Sequence, residues 1–349
     1  MRYKIALIRG DGIGPEQADA TIPLIRKLSE LLGLEIEVIE VEAGDECLKR
    51  RGTPLPDETI EALKGSHACL KGPVGETAAD VIVRLRQLFD LYANIRPARS
   101  LPNVPSIKPN IDLVIVRENT EGLYKGYEYM LDEVAVGLRV ITRRGCERIA
   151  RYGFKLAKKR RRKLVAVHKA NVMKITCGLF AKVCRSISKE YPEVSYSEMY
   201  VDAAAMNLIR KPEEFDVIVT TNMFGDILSD EAAQIVGGLG LAPAANIGEE
   251  YAIFEPVHGC APDIAGRGIA NPTSLILSAA MMFEWLGERY SDRRCLEASK
   301  LLTRAVKETL REGRFLTPDL GGGASTTEFG RRVEYFLQAL SNARRPVKA

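Results

Sequence analysis

Short runs of β-branched and apolar residues alternate along the chain with stretches whose apolar positions recur every three or four residues. The runs at 3–8, 35–41, 67–71, 112–117, 163–168, 195–201 and 217–220 read as strands. Between and after them, residues 16–32, 57–63, 79–91, 144–160, 175–190, 228–237, 274–286 and 296–311 carry helical spacing. That alternation predicts an α/β protein with a substantially parallel sheet. Neither an internal repeat nor a low-complexity linker interrupts it. One stretch, residues 96–109 with four prolines, breaks the helical pattern and is the expected crossing between domains.

Composition narrows the function classes. The 349 residues suffice for two packed domains at roughly 100–200 residues each, and 46% hydrophobic with 28% charged residues is an ordinary globular mixture. The balance of 50 basic and 46 acidic residues leaves a net charge of +4, too small to point to nucleic acid. The basic run KKRRRK at 158–163 closes a helix and precedes a strand, where cations suit the helix dipole and solvent. The longest apolar stretch, 275–283, is far shorter than the roughly 20 residues that span a bilayer. The opening MRYKIALIRGDG enters a strand without the apolar region of a secretory signal, so a cytoplasmic location is expected. Seven scattered cysteines without a C-x-x-C pair read as buried or incidental thiols.

Four segments carry candidate chemistry. Gly10-Asp11-Gly12-Ile13-Gly14-Pro15 follows the first strand, where glycines let backbone approach a phosphate or cofactor, yet the third glycine comes one residue early for G-x-G-x-x-G and no P-loop lysine follows. A plain tight turn remains an equal alternative. Arg86, Arg96 and Arg117 sit at or near element ends, the natural forks for carboxylates. Ile82 and Val83 lie one turn before Arg86, on a face that reads either as a hydrocarbon pocket or as core. Asp226 and Asp230 are spaced i, i+4, with Asp202 after an earlier strand. Such oxygen ligands without nearby His or Cys suit Mg²⁺ or Mn²⁺, the alternative being a helix cap and a solvated acid. Tyr124 in Glu118-Asn119-Thr120-Glu121-Gly122-Leu123-Tyr124 and Lys169 in His168-Lys169-Ala170-Asn171 are potential proton carriers just past strands.

The segments GDGIGP, LRQLFDLYANIRP, VRENTEGLYKG, HKANVMK, MYVDAAAMN, FGDILSDEAAQIVGGLG and EPVHGCAPDIAGRGIANP occur in the order found in the β-decarboxylating dehydrogenases of isocitrate and 3-isopropylmalate. Together they resemble that family over nearly the whole chain, with KGPVGETAADVIVRLRQ most similar to its archaeal 3-isopropylmalate members. The resemblance implies two α/β domains around a mixed sheet, not a Rossmann fold. Residues 1–98 and 241–349 would form the first domain on the cofactor side, and 99–240 the second, with the metal and the dimer interface. It implies a homodimer with a shared active site, in which Lys169 and Asp202 come from the neighbour of the chain supplying Arg86, Arg96, Arg117, Tyr124, Asp226 and Asp230.

The implied reaction is NAD-dependent oxidative decarboxylation of 3-isopropylmalate to 4-methyl-2-oxopentanoate, a step of leucine biosynthesis, with isocitrate and homoisocitrate as alternative substrates and a non-catalytic subunit as the remaining one. Lys169 would act as base and Tyr124 as acid. Mg²⁺ or Mn²⁺ would lie on Asp202, Asp226 and Asp230. The arginines would hold carboxylates with Asn171 in support, and Ile82 and Val83 would pack the hydrocarbon branch. NAD would lie against Ile13, His258, Gly259, Ala261, Asp263, Ile264 and Asn271, with Asp263 on the ribose hydroxyls. Two positions depart from the family: Ala79 where longer isopropylmalate enzymes have a glutamate, and Asp80 where isocitrate enzymes have a substrate-binding serine.

Overall fold

A computed structural model describes residues 1–343. Its strands are β1 (Arg2–Ile8), β2 (Glu35–Val41), β3 (Ala68–Lys71), β4 (Ala93–Arg99), β5 (Asp112–Glu118), β6 (Glu128–Leu131), β7 (Val134–Gly137), β8 (Lys163–His168), β9 (Ser195–Tyr200), β10 (Val217–Thr220), β11 (Pro243–Ile247) and β12 (Ala252–Pro256). The α-helices are α1 (Gly14–Leu32), α2 (Asp45–Arg51), α3 (Asp57–Lys64), α4 (Arg84–Leu88), α5 (Arg143–Lys159), α6 (Thr176–Ser188), α7 (Val201–Arg210), α8 (Asn222–Ile235), α9 (Thr273–Arg289), α10 (Arg293–Glu312) and α11 (Thr326–Asn342). Among the described residues no helix is long and apolar enough to cross a membrane.

Ten strands form one sheet in the order β2-β1-β3-β12-β11-β4-β5-β10-β8-β9, and β6-β7 is a separate hairpin. The outer strands pair in parallel on both sides, while β11 is antiparallel to β12 and to β4, and β4 is antiparallel to β5. The sheet is therefore mixed, with the two parallel flanks running in opposite directions. The expected domain crossings near 98 and 240 fall at the end of β4 and just before β11.

Strand alternation divides the core. Tyr3, Ile5, Leu7, Ile95, Val114, Val116, Ala245 and Phe254 face one side and join a single cluster under α1, α5, α6, α9, α10 and α11. On the other side the apolar residues form two separate clusters. One holds Ala6, Ile8, Cys69 and Ile253, the other Leu113, Ile115, Val165 and Ile218. Between these two clusters the side chains turned to that face are polar: Lys71, Glu255, Asn246, Asn94, Arg96 and Arg117, all buried. Asn246 knits them, accepting at Oδ1 from Arg86 Nε (3.0 Å), Asn94 Nδ2 (3.0 Å) and Asn119 Nδ2 (2.9 Å) and donating to Glu255 Oε1 (2.8 Å). Glu255 also pairs with Lys71 (2.8 Å) and Arg86 (3.1 Å).

Several local expectations change. The proline-bearing segment from residue 96 is not all crossing: Arg96 to Arg99 belong to β4, and Pro97 lies beyond the residues of β4 that pair with β11, where one side needs no further donor. The helix expected at 79–91 is a π-helix over Ala79–Val83 followed by α4, ending at Leu88. The helix expected at 228–237 begins six residues earlier, at Asn222, directly after β10. Val201 opens α7 rather than closing a strand. α11 starts from a capping box in which Ser325 and Glu328 satisfy each other's backbone N–H groups. All seven cysteines are free thiols, six of them buried.

Burial alone would raise the Glu255 carboxyl, but Lys71 and Arg86 outweigh it and hold it down at about 2. Its contribution is complete above the unfolded value of roughly 4.3 and is lost as pH falls from there toward 2. Glu255→Ala leaves two buried cations unmatched, so a loss of about 3–5 kcal/mol is expected from urea unfolding at pH 7. A loss under about 1 kcal/mol would mean the network is not stabilised by its charges.

Candidate active site

The antiparallel register of β4 and β5 sets Asn94 opposite Arg117 and Arg96 opposite Ile115, so both arginines enter the polar gap. Helix α8 lies over them. Asn222 Oδ1 accepts from Arg117 Nε (3.0 Å) and Nη2 (2.7 Å), and Arg117 Nη1 donates to Asp226 Oδ1. Arg96 Nη1 donates to Ser229 Oγ (2.8 Å), Asp226 Oδ1 (3.1 Å) and Asp230 Oδ1 (3.4 Å). Tyr124, in the short turn Leu123–Lys125, donates its hydroxyl to Asp226 Oδ2, and the Arg117 Cζ stands 5.0 Å from its ring centroid. The i, i+4 reading of Asp226 and Asp230 holds, and the helix-cap alternative for Asp226 does not, because Thr221 occupies that position.

Burial, reinforced by Arg96 and Arg86, pulls the Arg117 guanidinium down to about 9, still a cation at neutral pH. Burial would raise Asp226, but Arg117 and Arg96 hold it below the usual aspartate range. Asp230 goes the other way, raised by burial against Arg96, with Asp226 adding to the rise. Burial and the Asp226 carboxylate raise the Tyr124 phenol, so it keeps its proton at neutral pH. Four buried cations (Lys71, Arg86, Arg96, Arg117) face three acids (Glu255, Asp226, Asp230), a balance that favours an anionic ligand.

The remaining candidates lie elsewhere. Lys169, just after β8, has its Nζ 2.7 Å from Asp202 Oδ1 at the start of α7, and that ion pair lowers the Asp202 carboxyl. Asp202 and Asn171 are exposed, among exposed apolar side chains that include Val172, Ile175, Met206 and Ile209. Among the described residues no three His, Cys, Asp or Glu side chains converge as a metal needs. One chain therefore brings Asp226 and Asp230 together, without Asp202. The donors present are carboxylate oxygens, which fit a hard divalent cation once a third acid joins them. Ile82 belongs to the core cluster with Val81 and Leu85. The π-helix thus corrects the α-helical face expected for the pair, and Val83, only half-buried, is the more accessible of the two.

The first glycine turn is architectural. A Cβ on Gly10 would stand 1.9 Å from the Pro73 carbonyl oxygen and one on Gly12 2.0 Å from that of Cys260. Asp11 accepts from the backbone N–H groups of Asp45 (2.9 Å), Glu46 (3.1 Å) and Gly75 (3.1 Å), capping α2. The turn fixes the loop at 258–264, since Ile13 N donates to Cys260 O at 2.9 Å. Gln17 Nε2 bridges His258 Nε2 (3.0 Å) and the Asn271 carbonyl (2.8 Å), and burial lowers His258, keeping it neutral. Ala261 takes a left-handed conformation (φ 40°), a strained setting for a residue with a Cβ. Among the described residues Gly259 has open space above it, and the exposed Asp263 carboxylate, beside Ile264, has no ion-pair or hydrogen-bond partner. An open loop face with a free carboxylate fits a ribose-bearing cofactor. Lys71, Asn94, Asn222, Ser229, Asn246 and Glu255 were not anticipated as site residues; a lone charge ending an apolar strand, as in Ala68–Lys71 and Ala252–Pro256, is the signal that marks two of them.

The sequence matches the family described as isocitrate/isopropylmalate dehydrogenase over residues 4–333. It is 55% identical over 329 residues to a 3-isopropylmalate dehydrogenase of Sulfurisphaera tokodaii, covering 94% of this chain and 97% of that protein. It is 50% identical to an isocitrate/homoisocitrate dehydrogenase of Thermus thermophilus, covering 97% of this chain and all of that one. The crystal structure of isocitrate dehydrogenase from Methylococcus capsulatus superposes with a TM-score of 0.89 at 44% identity, covering 96% of this chain and 99% of that one.

The close passage of Arg117 under α8 sets a strict size limit at Gly225, where a Cβ would stand 2.6 Å from the Arg117 Cβ and Cγ. Gly225→Ala should lower stability by about 1–3 kcal/mol through overpacking, despite the roughly 1 kcal/mol helix preference for alanine. Gly178→Ala in α6, with nothing within 4 Å, should raise it by up to about 1 kcal/mol. Urea midpoints for the pair check the contrast, and equal shifts would contradict it.

Proposed function

The chain belongs to the isocitrate/isopropylmalate dehydrogenase family, and on that premise we propose that it oxidises 3-isopropylmalate with NAD⁺ and releases CO₂ to form 4-methyl-2-oxopentanoate, a step of leucine biosynthesis. The observation that carries this reading is the convergence of Arg96, Arg117 and Tyr124 on the Asp226 carboxylate. It unites carboxylate forks, a protonated phenol and an oxygen ligand in one buried gap. Arg86, Arg96 and Arg117 bind and orient the two malate carboxylates by paired N–H donation. Lys169 of a second copy accepts the C2 hydroxyl proton, directly or through water, as the C2 hydride leaves for the nicotinamide. Loss of the carboxylate β to the new ketone leaves an enolate, whose carbon takes the proton of Tyr124. Asn171 supports the substrate from the same loop as Lys169.

Asp226 and Asp230, with Asp202 of the second copy, would hold Mg²⁺ or Mn²⁺, which when bound supplies Lewis-acid polarisation at C2. In that role Asp226 and Asp230 would give up their present contacts with Arg96 and Arg117, leaving those guanidinium groups for substrate. Dimerisation is favoured by the exposure of Asp202, beside the half-buried Lys169, on a surface with apolar side chains, and by the hairpin β6-β7, where Met130, Leu131 and Val134 are all exposed. Residues 1–98 with 241–349, and 99–240, are the two domains of this reading, joined through the β4–β5 ladder. Ile13, His258, Gly259, Ala261, Asp263, Ile264 and Asn271 would hold NAD, in a protein acting in the cytoplasm.

The accessible Val83 and the exposed Asp80 acid favour a hydrocarbon branch over a third carboxylate, which would be repelled and would lack a cation. Steady-state kinetics should give a kcat/KM for 3-isopropylmalate at least tenfold above those for isocitrate and homoisocitrate. A reversed order would assign one of those acids instead.

Cofactor choice should follow Asp263, since a carboxylate accepts from both ribose hydroxyls and repels a 2′-phosphate. NAD⁺ should therefore exceed NADP⁺ in kcat/KM, and Asp263→Lys with Ile264→Tyr should move the ratio toward NADP⁺ by at least tenfold. Equal use of both cofactors by the unaltered enzyme would place Asp263 away from the ribose.

A further inference from the structure

The alternation that turns Asn94 and Arg96 toward the polar gap turns Ile95, Pro97 and Arg99 of β4 to the reverse face of the sheet. There, between α5 and α9, lies a cavity of about 710 Å³, within the size range of small-molecule sites. Val114, Ile247 and Phe254 line it from the strands and Leu156, Met281 and Trp285 from the helices. A second compartment of about 440 Å³ shares Arg99 and Glu284 with the first and runs along α10. Its charge is one-sided: Lys300, Arg304, Lys307 and Arg311 line it, with Glu284 and Glu308 the acids.

Pairing separates the cations that build the wall from those left free. Arg99 and Arg160 are tied to Asp112, Lys159 to Glu288, Lys158 to Glu193 and Arg311 to Glu308. Lys155, Lys300, Arg304 and Lys307 make no ion pair or hydrogen bond among the described residues. The last three stand at i, i+4 and i+7 on one face of α10, where like charges repel. At 1.5 Å of rise per residue that row is about 10 Å long, which matches a chain of two or three phosphates better than a single carboxylate. The Tyr152 hydroxyl, also in the wall, has no hydrogen-bond partner either.

We propose that this double cleft binds an organic phosphate with an aromatic or acyl body, the body lying in the apolar chamber beside Trp285 and the phosphates on Lys300, Arg304 and Lys307, with Lys155 at the chamber rim. The occupant is a small molecule and not a polynucleotide, because the chamber holds one compact body and its walls include the Glu284 and Glu288 acids, which oppose a continuous phosphate backbone. The site is separate from the proposed catalytic gap, on the opposite face of the same strands, and its test does not depend on which hydroxy acid the enzyme oxidises.

Trp285 is the chain's only tryptophan, so its fluorescence reports the chamber directly. The full chain, held at saturating NAD⁺ to occupy the cofactor loop, is titrated with ATP, with butyryl-coenzyme A and with tripolyphosphate. A saturable change with ATP or the thioester at a Kd below 1 mM, weakened at least tenfold in both the Lys300→Glu/Arg304→Glu/Lys307→Glu variant and the milder Lys300→Ala/Lys307→Ala variant, supports the site. Coenzyme A, which keeps the adenine and lacks the acyl group, separates the two bodies: a Kd at least tenfold weaker than that of butyryl-coenzyme A assigns the acyl group to the chamber, and an equal Kd assigns the adenine. Circular dichroism melts verify that both variants are folded. The proposal is overturned by no saturable change, by unaltered affinity in the folded variants, by tripolyphosphate binding as tightly as either ligand, or by an RNA oligonucleotide binding the α10 residues more tightly than both.

Discussion

Burying four cations in the middle of a sheet is the constraint on which the site depends. Lys71, Arg86, Arg96 and Arg117 cannot remain charged inside the protein without matched acids and hydrogen-bond acceptors. Glu255 answers the first two, Asp226 the last two, and Asn94, Asn222 and Asn246 accept from the Nε groups of Arg96, Arg117 and Arg86. These five acceptors come from four elements, β4, α8, β11 and β12. The elements are thereby held in one arrangement, and the apolar core on that face is split into two clusters around the polar gap.

Strand direction explains why such distant residues meet. A purely parallel sheet would bring the carboxyl ends of all its strands to one edge, with continuous apolar runs along its buried strands. Here β11 and β4 run antiparallel to their neighbours at the centre, and the β4–β5 ladder carries Arg96 and Arg117 in side by side. The same ladder makes β4 two-sided. Its even positions serve the polar gap, while Ile95, Pro97 and Arg99 form part of the cleft on the reverse face.

Much of the fold was readable where one rule dominated. Short strands rich in β-branched residues, such as Glu35–Val41 and Lys163–His168, keep their expected limits, because such runs between turns have no competing reading. β4 was obscured by its proline, and β11 and β12 by their short length. The helix before Arg86 follows a π pattern that i, i+4 reasoning does not anticipate, which is why Ile82 turns into the core. At the site, Arg96, Arg117, Asp226 and Tyr124 were named from motifs and do converge. Asn94 and Asn246, which accept from Arg96 and Arg86, carry no such signal, because asparagine inside a strand has no periodic pattern of its own. The glycine turn shows the reverse case: a motif suggestive of phosphate serves backbone packing, and only its clash distances reveal this.

The two groups proposed to move protons are each held by an acid that the same proposal assigns to a divalent cation. Tyr124 donates to Asp226, and Lys169 pairs with Asp202. Were those carboxylates recruited to a cation, both contacts would loosen, so the groups that would hold the cation are the ones that now hold the proposed acid and base. The exposure of Asp202 and the burial of Asp226 place the two pairs in different surroundings within one chain. Neither pair alone supplies all the carboxylates proposed for that cation, so the proposed site would be completed only where Asp202 of a second copy joins Asp226 and Asp230.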